Sequence, residues 1–170
     1  IQDFPALQKQ MLGDALGVTS GEAGKRIGTW LERDLDAVYR RLSPYPHVDA
    51  CIHRLRSAGL KTGVLSDFPI GEKLRYLGLD GLRDCVLASE ESGYLKPRPE
   101  PFLRLAECLD EPPEHIVYIG NSYEYDIVGA QRVGMKTAFL KKKRQHRGSA
   151  DIAFSDYREL APAILEFVRS

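Results

Sequence analysis

The sequence predicts a doubly wound α/β domain, a parallel sheet with helices on both faces, preceded by a short all-helical segment. Three observations carry that prediction. From Pro46 onward, helical patterns alternate with short apolar runs, which is the grammar of strand–helix–strand units joined by right-handed crossovers. The apolar runs are nearly continuous, as expected of strands covered on both faces. Residues 1–43, by contrast, show helical periodicity alone.

The elements follow in order. Phe4, Leu7, Met11, Leu12, Ala15 and Leu16 recur at helical spacing and predict a helix over 3–16. Thr19 or Ser20, with Glu22 close behind, reads as the N-cap of a longer helix. That helix carries Ile27, Trp30, Leu31, Leu35, Val38 and Leu42 on one face and ends before Pro44 and Pro46. Val48, Cys51, Ile52 and Leu55 predict a helix closed by Gly59. Strands are expected at 60–65, 85–88, 115–119, 136–140 and 152–154, and helices at 70–76, 99–109, 126–133 and 159–168. Core packing is the expected role of Trp30 and Tyr39.

Composition bounds what the domain can do. The chain has 170 residues, 24 of them basic and 24 acidic, so its net charge is zero. That excludes the global positive field of a dedicated nucleic-acid binder. No apolar run approaches the roughly 20 residues that a membrane span needs, so no membrane partner is expected. Cys51, Cys85 and Cys108 are odd in number, far apart and set in apolar patterns, with no CxxC pair. The expectation is three reduced, buried thiols in a cytoplasmic protein. The basic run at 141–147, K-K-K-R-Q-H-R, reads as a solvated loop after a strand. The sequence carries no signal for an oligomeric state.

In an open α/β sheet, ligands bind beyond the carboxyl ends of the strands. That rule selects Ser66 and Asp67, then Glu90, Glu91 and Lys96, then Asn121, Ser122, Glu124 and Asp126. Ser66 offers a hydroxyl and a backbone N–H to an anion. Lys96 is a compact charge suited to one phosphoryl group. Asn121 and Asp126 offer hard oxygens of the kind that suit Mg²⁺ with several retained waters. Glu124 reads as an exposed loop acid.

Taken together, V-L-S-D, Y-L-K-P-R-P-E-P-F and Y-I-G-N-S-Y-E-Y-D-I-V-G-A-Q-R-V-G-M resemble the second, third and fourth motifs of the haloacid dehalogenase-like (HAD) hydrolase superfamily, in order. L-S-P-Y-P-H-V resembles the junction where that family's helical cap returns to its Rossmann-like core. The resemblance spans about residues 35–168. It implies a partial cap over 1–43 and a core over 44–170. Ser66 would hold the transferring phosphoryl group, with Asp67 and Lys96 completing the phosphate-binding set. Ser66 and Lys96 would be the catalytic residues present, and Asp126 and Asn121 would hold Mg²⁺. Such enzymes form an aspartyl-phosphate and then hydrolyse it, splitting one hard step into two.

Two features depart from that pattern. Asn121 stands where many members have Asp, which removes a negative charge from the metal site. The nucleophile motif, an apolar strand ending in D-x-D, is not found. The only D-x-D, Asp34-Leu35-Asp36, lies inside a helical pattern. We therefore expect the chain, which begins at Ile1, to be the C-terminal part of a longer protein. The family's first strand would lie between the strands ending at Leu65 and Ile119, and its loss would leave two interior edges open. The expected function of the complete protein is Mg²⁺-dependent hydrolysis of a small phosphorylated metabolite, this chain alone being inactive. The alternatives are a haloacid dehalogenase-type hydrolase and a catalytically silent phosphate- or protein-binding module. A receiver-type signalling domain fits the proline-flanked lysine loop and the helical lead-in less well.

Overall fold

The chain begins with two helices packed on each other, α1 (Phe4–Leu16) and α2 (Ser20–Tyr39). The computed structural model describes residues 3–68, 70–142 and 146–169, and the side chains of all of these except 30–36 and 71. The side-chain expectations for Trp30 and for the D-x-D at 34–36 thus lie outside the described residues, as do residues 143–145 of the basic run. The Asp3 carboxylate accepts the Ala6 N–H at 3.1 Å and caps α1, and Thr19 Oγ1 does the same for α2 through the Glu22 N–H at 3.2 Å. The second helix stops at Tyr39 rather than near Leu42. Arg41 and Leu42 donate to Val38 and Tyr39, three residues back, and so wind the chain into a tighter turn ahead of Pro44. Tyr39 is buried.

The core then alternates as predicted: α3 (Val48–Ser57), β1 (Gly63–Ser66), α4 (Gly71–Tyr76), β2 (Cys85–Ala88), α5 (Pro99–Leu109) and β3 (Val117–Gly120). It continues with a π-helical turn (Tyr123–Val128), α6 (Gly129–Gln131), β4 (Lys136–Leu140), β5 (Ile152–Phe154) and α7 (Tyr157–Phe167). All pairings are parallel. Two predicted strands begin late. Thr62 is occupied with the Asp84 carboxylate, which accepts its N–H at 2.7 Å, and Pro113–His115 forms a 3₁₀ turn before β3. The helix predicted at 126–133 is instead the π-helical turn and a three-residue α6.

The described strands form two sheets, β1–β2 and β3–β4–β5. Among the described residues no strand lies between β1 and β3, the place where the resemblance puts the family's first strand. The two sheets are joined through their covering helix. On α5, Phe102, Leu105, Ala106 and Leu109 pack with Cys85 of β2 and Tyr118 of β3, and Leu65 of β1 rests on the same cluster. The opposite face of the β3–β4–β5 sheet is covered by α3 and α7, through Cys51, Leu55, Leu160, Ala161 and Ile164 against Ala138 and Phe154. The β3–β4–β5 sheet is thus helix-covered on both faces, which accounts for its apolar strands.

The cysteine expectation is corrected. Cys85 and Cys108 are joined in a disulfide, with Cα atoms 5.9 Å apart, and only Cys51 is a free, buried thiol. The pair forms because α5 lies across β2 and brings its last turn over the start of that strand. A separation of 23 residues carries no local signature of such a pairing. No described helix is long and apolar enough to cross a membrane.

Candidate active site

Parallel strands bring their carboxyl ends to one rim. In register, Ser66 ends β1 opposite Ala88 of β2, and Gly120 ends β3 opposite Phe139 of β4. The residues selected from the sequence follow these ends. Ser66 Oγ accepts the Phe68 N–H at 3.2 Å, which folds the segment after β1 back on itself. Glu91 does not face the site: its carboxylate accepts the Ala88 N–H at 2.8 Å and closes the turn after β2. Glu124 is exposed, as expected, but it lies in the π-helical turn rather than in a loop.

Lys96 is the centre of the arrangement. Its side chain is only 10% exposed. Its ammonium donates to Asp126 Oδ1 at 2.7 Å and to the Tyr118 hydroxyl at 3.4 Å, and it lies 3.8 Å from Asp67 Oδ2. The Lys96 backbone N–H also points at Asp67, reaching Oδ1 at 3.3 Å. The peptide bond from Lys96 to Pro97 is cis. Asp67 therefore turns its carboxylate toward the lysine. What it can offer an anion is its backbone N–H rather than its side chain.

Asp126 is buried, and both its oxygens are engaged. Oδ2 accepts the backbone N–H groups of Asn121 at 3.1 Å and Ser122 at 3.0 Å, while Oδ1 takes the lysine. The π-helical turn makes this possible. Asp126 and Ile127 both donate their N–H to the Ser122 carbonyl, at 2.9 and 3.4 Å, so the turn is one residue wider than an α-helical one. Gly120 is needed at the foot of this turn, because a Cβ there would stand 2.2 Å from Asp126 Cβ. Asn121 is exposed and donates its side-chain amide to the Tyr45 hydroxyl at 3.4 Å, so the junction segment touches the rim.

These residues match Mg²⁺ in the kind of donor they offer. Asn121 has an amide oxygen, and the Asp126 carboxylate has acceptor capacity beyond its three bonds. The set carries little charge, since Lys96 neutralises Asp126. Among the described residues no group of three His, Cys, Asp or Glu gathers around a common point.

Tyr118 is the site residue that the sequence reading missed. It sits in a strand pattern and reads as core. Burial, with the Asp126 and Asp67 carboxylates close by, holds its phenol well above the ordinary tyrosine range. Its one signal is a hydroxyl placed two residues before the strand-ending glycine.

A family model described as haloacid dehalogenase-like hydrolase matches residues 6–134. The chain is 38% identical over 110 residues to the glyceraldehyde 3-phosphate phosphatase of Methanopyrus kandleri, covering 63% of this chain and 47% of that protein. The chain spans about half the length of the curated relatives it matches. Among solved structures it resembles a HAD phosphatase from Thermococcus onnurineus, with a TM-score of 0.70 and 24% identity over 95% of this chain and 88% of that one. It also resembles a 2-haloacid dehalogenase from Pseudomonas syringae pv. Tomato, with a TM-score of 0.73 and 24% identity over 96% of this chain and 72% of that one. At these identities the two structures speak for the fold.

Proposed function

The chain belongs to the haloacid dehalogenase-like hydrolase family, and on that premise we propose that it is the phosphoryl-binding part of a phosphatase for a small phosphorylated metabolite. The observation that carries the reading is the Lys96 ammonium, held by Asp126 on the same rim as Ser66. The relative named as a glyceraldehyde 3-phosphate phosphatase supports a phosphate ester as the substrate class. Residues 1–43 are read as a partial cap and 44–170 as the core.

Hydrolysis of a phosphate ester breaks one P–O bond, consumes one water and releases an alcohol and inorganic phosphate. Lys96 would neutralise the oxygens of the transferring group, where charge develops. The Ser66 hydroxyl would donate to one of those oxygens, and the backbone N–H of Asp67 would point at the same group. Asp126 would keep Lys96 and the 120–122 turn in fixed relation, a matter of orientation. Mg²⁺, held by Asp126 and Asn121, would add electrostatic stabilisation of the phosphoryl oxygens. Asp67 and Asp126 both face Lys96, so neither is placed to attack. In this reading the attacking carboxylate would come from the gap between β1 and β3, and the 170 residues alone would bind phosphate without turning over an ester.

A second reading has one observation behind it. The neutral Asn121 amide is as compatible with metal-free hydrolysis of a carbon–halogen bond as with a metal site. Two measurements decide. Calorimetric titration of the chain with inorganic phosphate should show binding that Lys96→Ala weakens about tenfold or more, as loss of a charged hydrogen-bonding partner implies. The complete protein should release phosphate from p-nitrophenyl phosphate in the presence of Mg²⁺. Halide release from 2-chloropropionate, with no phosphate release, would overturn the phosphatase reading.

A further inference from the structure

Tyr118 is the buried group for which the reaction above has no use. It lies on β3, its ring packed edge-on against Phe102 of α5 with centroids 4.9 Å apart. Phe102 is fully buried, so the ring has a packing role that needs no hydroxyl. Yet the hydroxyl is directed at the site. The Lys96 ammonium is 3.4 Å from it and 5.9 Å from the ring centroid, so the contact is with the oxygen rather than the ring face.

Resting on the reading of Lys96 as the phosphoryl-binding cation, we propose that Tyr118 is a positioning residue that fixes where the Lys96 ammonium points. An ammonium has three protons on a freely turning stem. One goes to Asp126 Oδ1 at 2.7 Å and one to the Tyr118 oxygen, while Asp67 Oδ2 lies beyond hydrogen-bond range at 3.8 Å. Two directed bonds fix the rotation of the head group and leave the third proton in a set direction for a ligand oxygen. Asp126 and Asp67 already offset the charge of the lysine, and a further carboxylate in place of the phenol would fix the ammonium only by offsetting it more. A phenol holds it with no further offset, provided the phenol stays neutral. Desolvation and the two neighbouring carboxylates keep it so.

The test is a double-mutant cycle on inorganic phosphate binding by the intact chain, followed by calorimetry at constant ionic strength. Tyr118→Phe keeps the ring against Phe102 and removes only the oxygen. It should weaken phosphate binding by about fivefold, the size of one modest hydrogen bond, with an unchanged melting temperature. In a Lys96→Ala background the same substitution should change nothing, because it acts through the lysine. Equal effects in the two backgrounds would assign Tyr118 a general structural role and overturn the proposal. Unchanged affinity in Tyr118→Phe, while Lys96→Ala still weakens binding, would also overturn it and leave the phosphoryl-binding reading standing. If Lys96→Ala itself leaves phosphate binding intact, both fall together. Tyr118→Leu, which loses ring and oxygen alike, should lower the melting temperature and so separates packing from positioning.

Discussion

The carboxylate of Asp126 accepts three hydrogen bonds at once, and this explains why the rim holds its shape. A buried carboxylate is tolerable when it is paired and fully bonded. The choice of Asn121 beside it follows the same arithmetic of charge. With Asp126 already offset by Lys96, Asn121 and Asp126 together present almost no net negative charge to a cation. Asn121→Asp should therefore tighten Mg²⁺ binding by roughly tenfold, measured by titration of the chain with Mg²⁺. Equal or weaker binding would show that residue 121 is not a ligand. At this scale much was legible. Ser66 ends β1, and Lys96, Asn121 and Asp126 lie in the segments that follow β2 and β3; strand ends can be read from apolar runs. What could not be read was which lone pair meets which donor. Asp67 reads as a phosphate ligand in the sequence, yet its carboxylate faces Lys96. Tyr118 reads as core and is also a partner of the lysine.

Among elements, α5 does two tasks. It covers both sheets through Phe102, Leu105 and Leu109, and its last turn is tied to the start of β2 by the Cys85–Cys108 disulfide. Closing a loop of 23 residues' separation should contribute about 3 kcal/mol through the unfolded chain. The Cys85→Ala/Cys108→Ala variant should accordingly melt roughly 10 °C lower, by circular dichroism under non-reducing conditions. An unchanged melt would mean the bridge adds nothing to stability. The alternating order of helices and strands was plain in the sequence because each element carries its own periodicity. The disulfide was not, since it depends on one helix crossing one strand. The π-helical turn was missed for a different reason: a periodicity window averages over a single extra residue.

For the whole molecule, the decisive feature is the break between β1 and β3. Each of these strands keeps one row of backbone N–H and C=O groups without a strand partner among the described residues, and such rows recruit other strands. Ile119 of β3 is 38% exposed, more than a strand in mid-sheet would show. The purified chain should therefore associate as its concentration rises into the micromolar range. Sedimentation velocity across a concentration series checks this, and a monomer at every concentration would show that the open edges are already satisfied. Doubly wound topology was legible from sequence because both faces of the strands are apolar. The separation into two sheets was expected from the family resemblance, not from the patterns themselves, which describe strands singly and say nothing of their neighbours.

The widened turn at Tyr123–Val128 also governs how the site tolerates insertions and deletions. Glu124 and Tyr125 are exposed, so exchanging either for another residue leaves the geometry alone. Deleting one of them would let the segment close as an ordinary α-helix and swing position 126 by about 100° around its axis. The carboxylate would then leave both the lysine and the 120–122 backbone in a single event. In this stretch, spacing is guarded more closely than spelling.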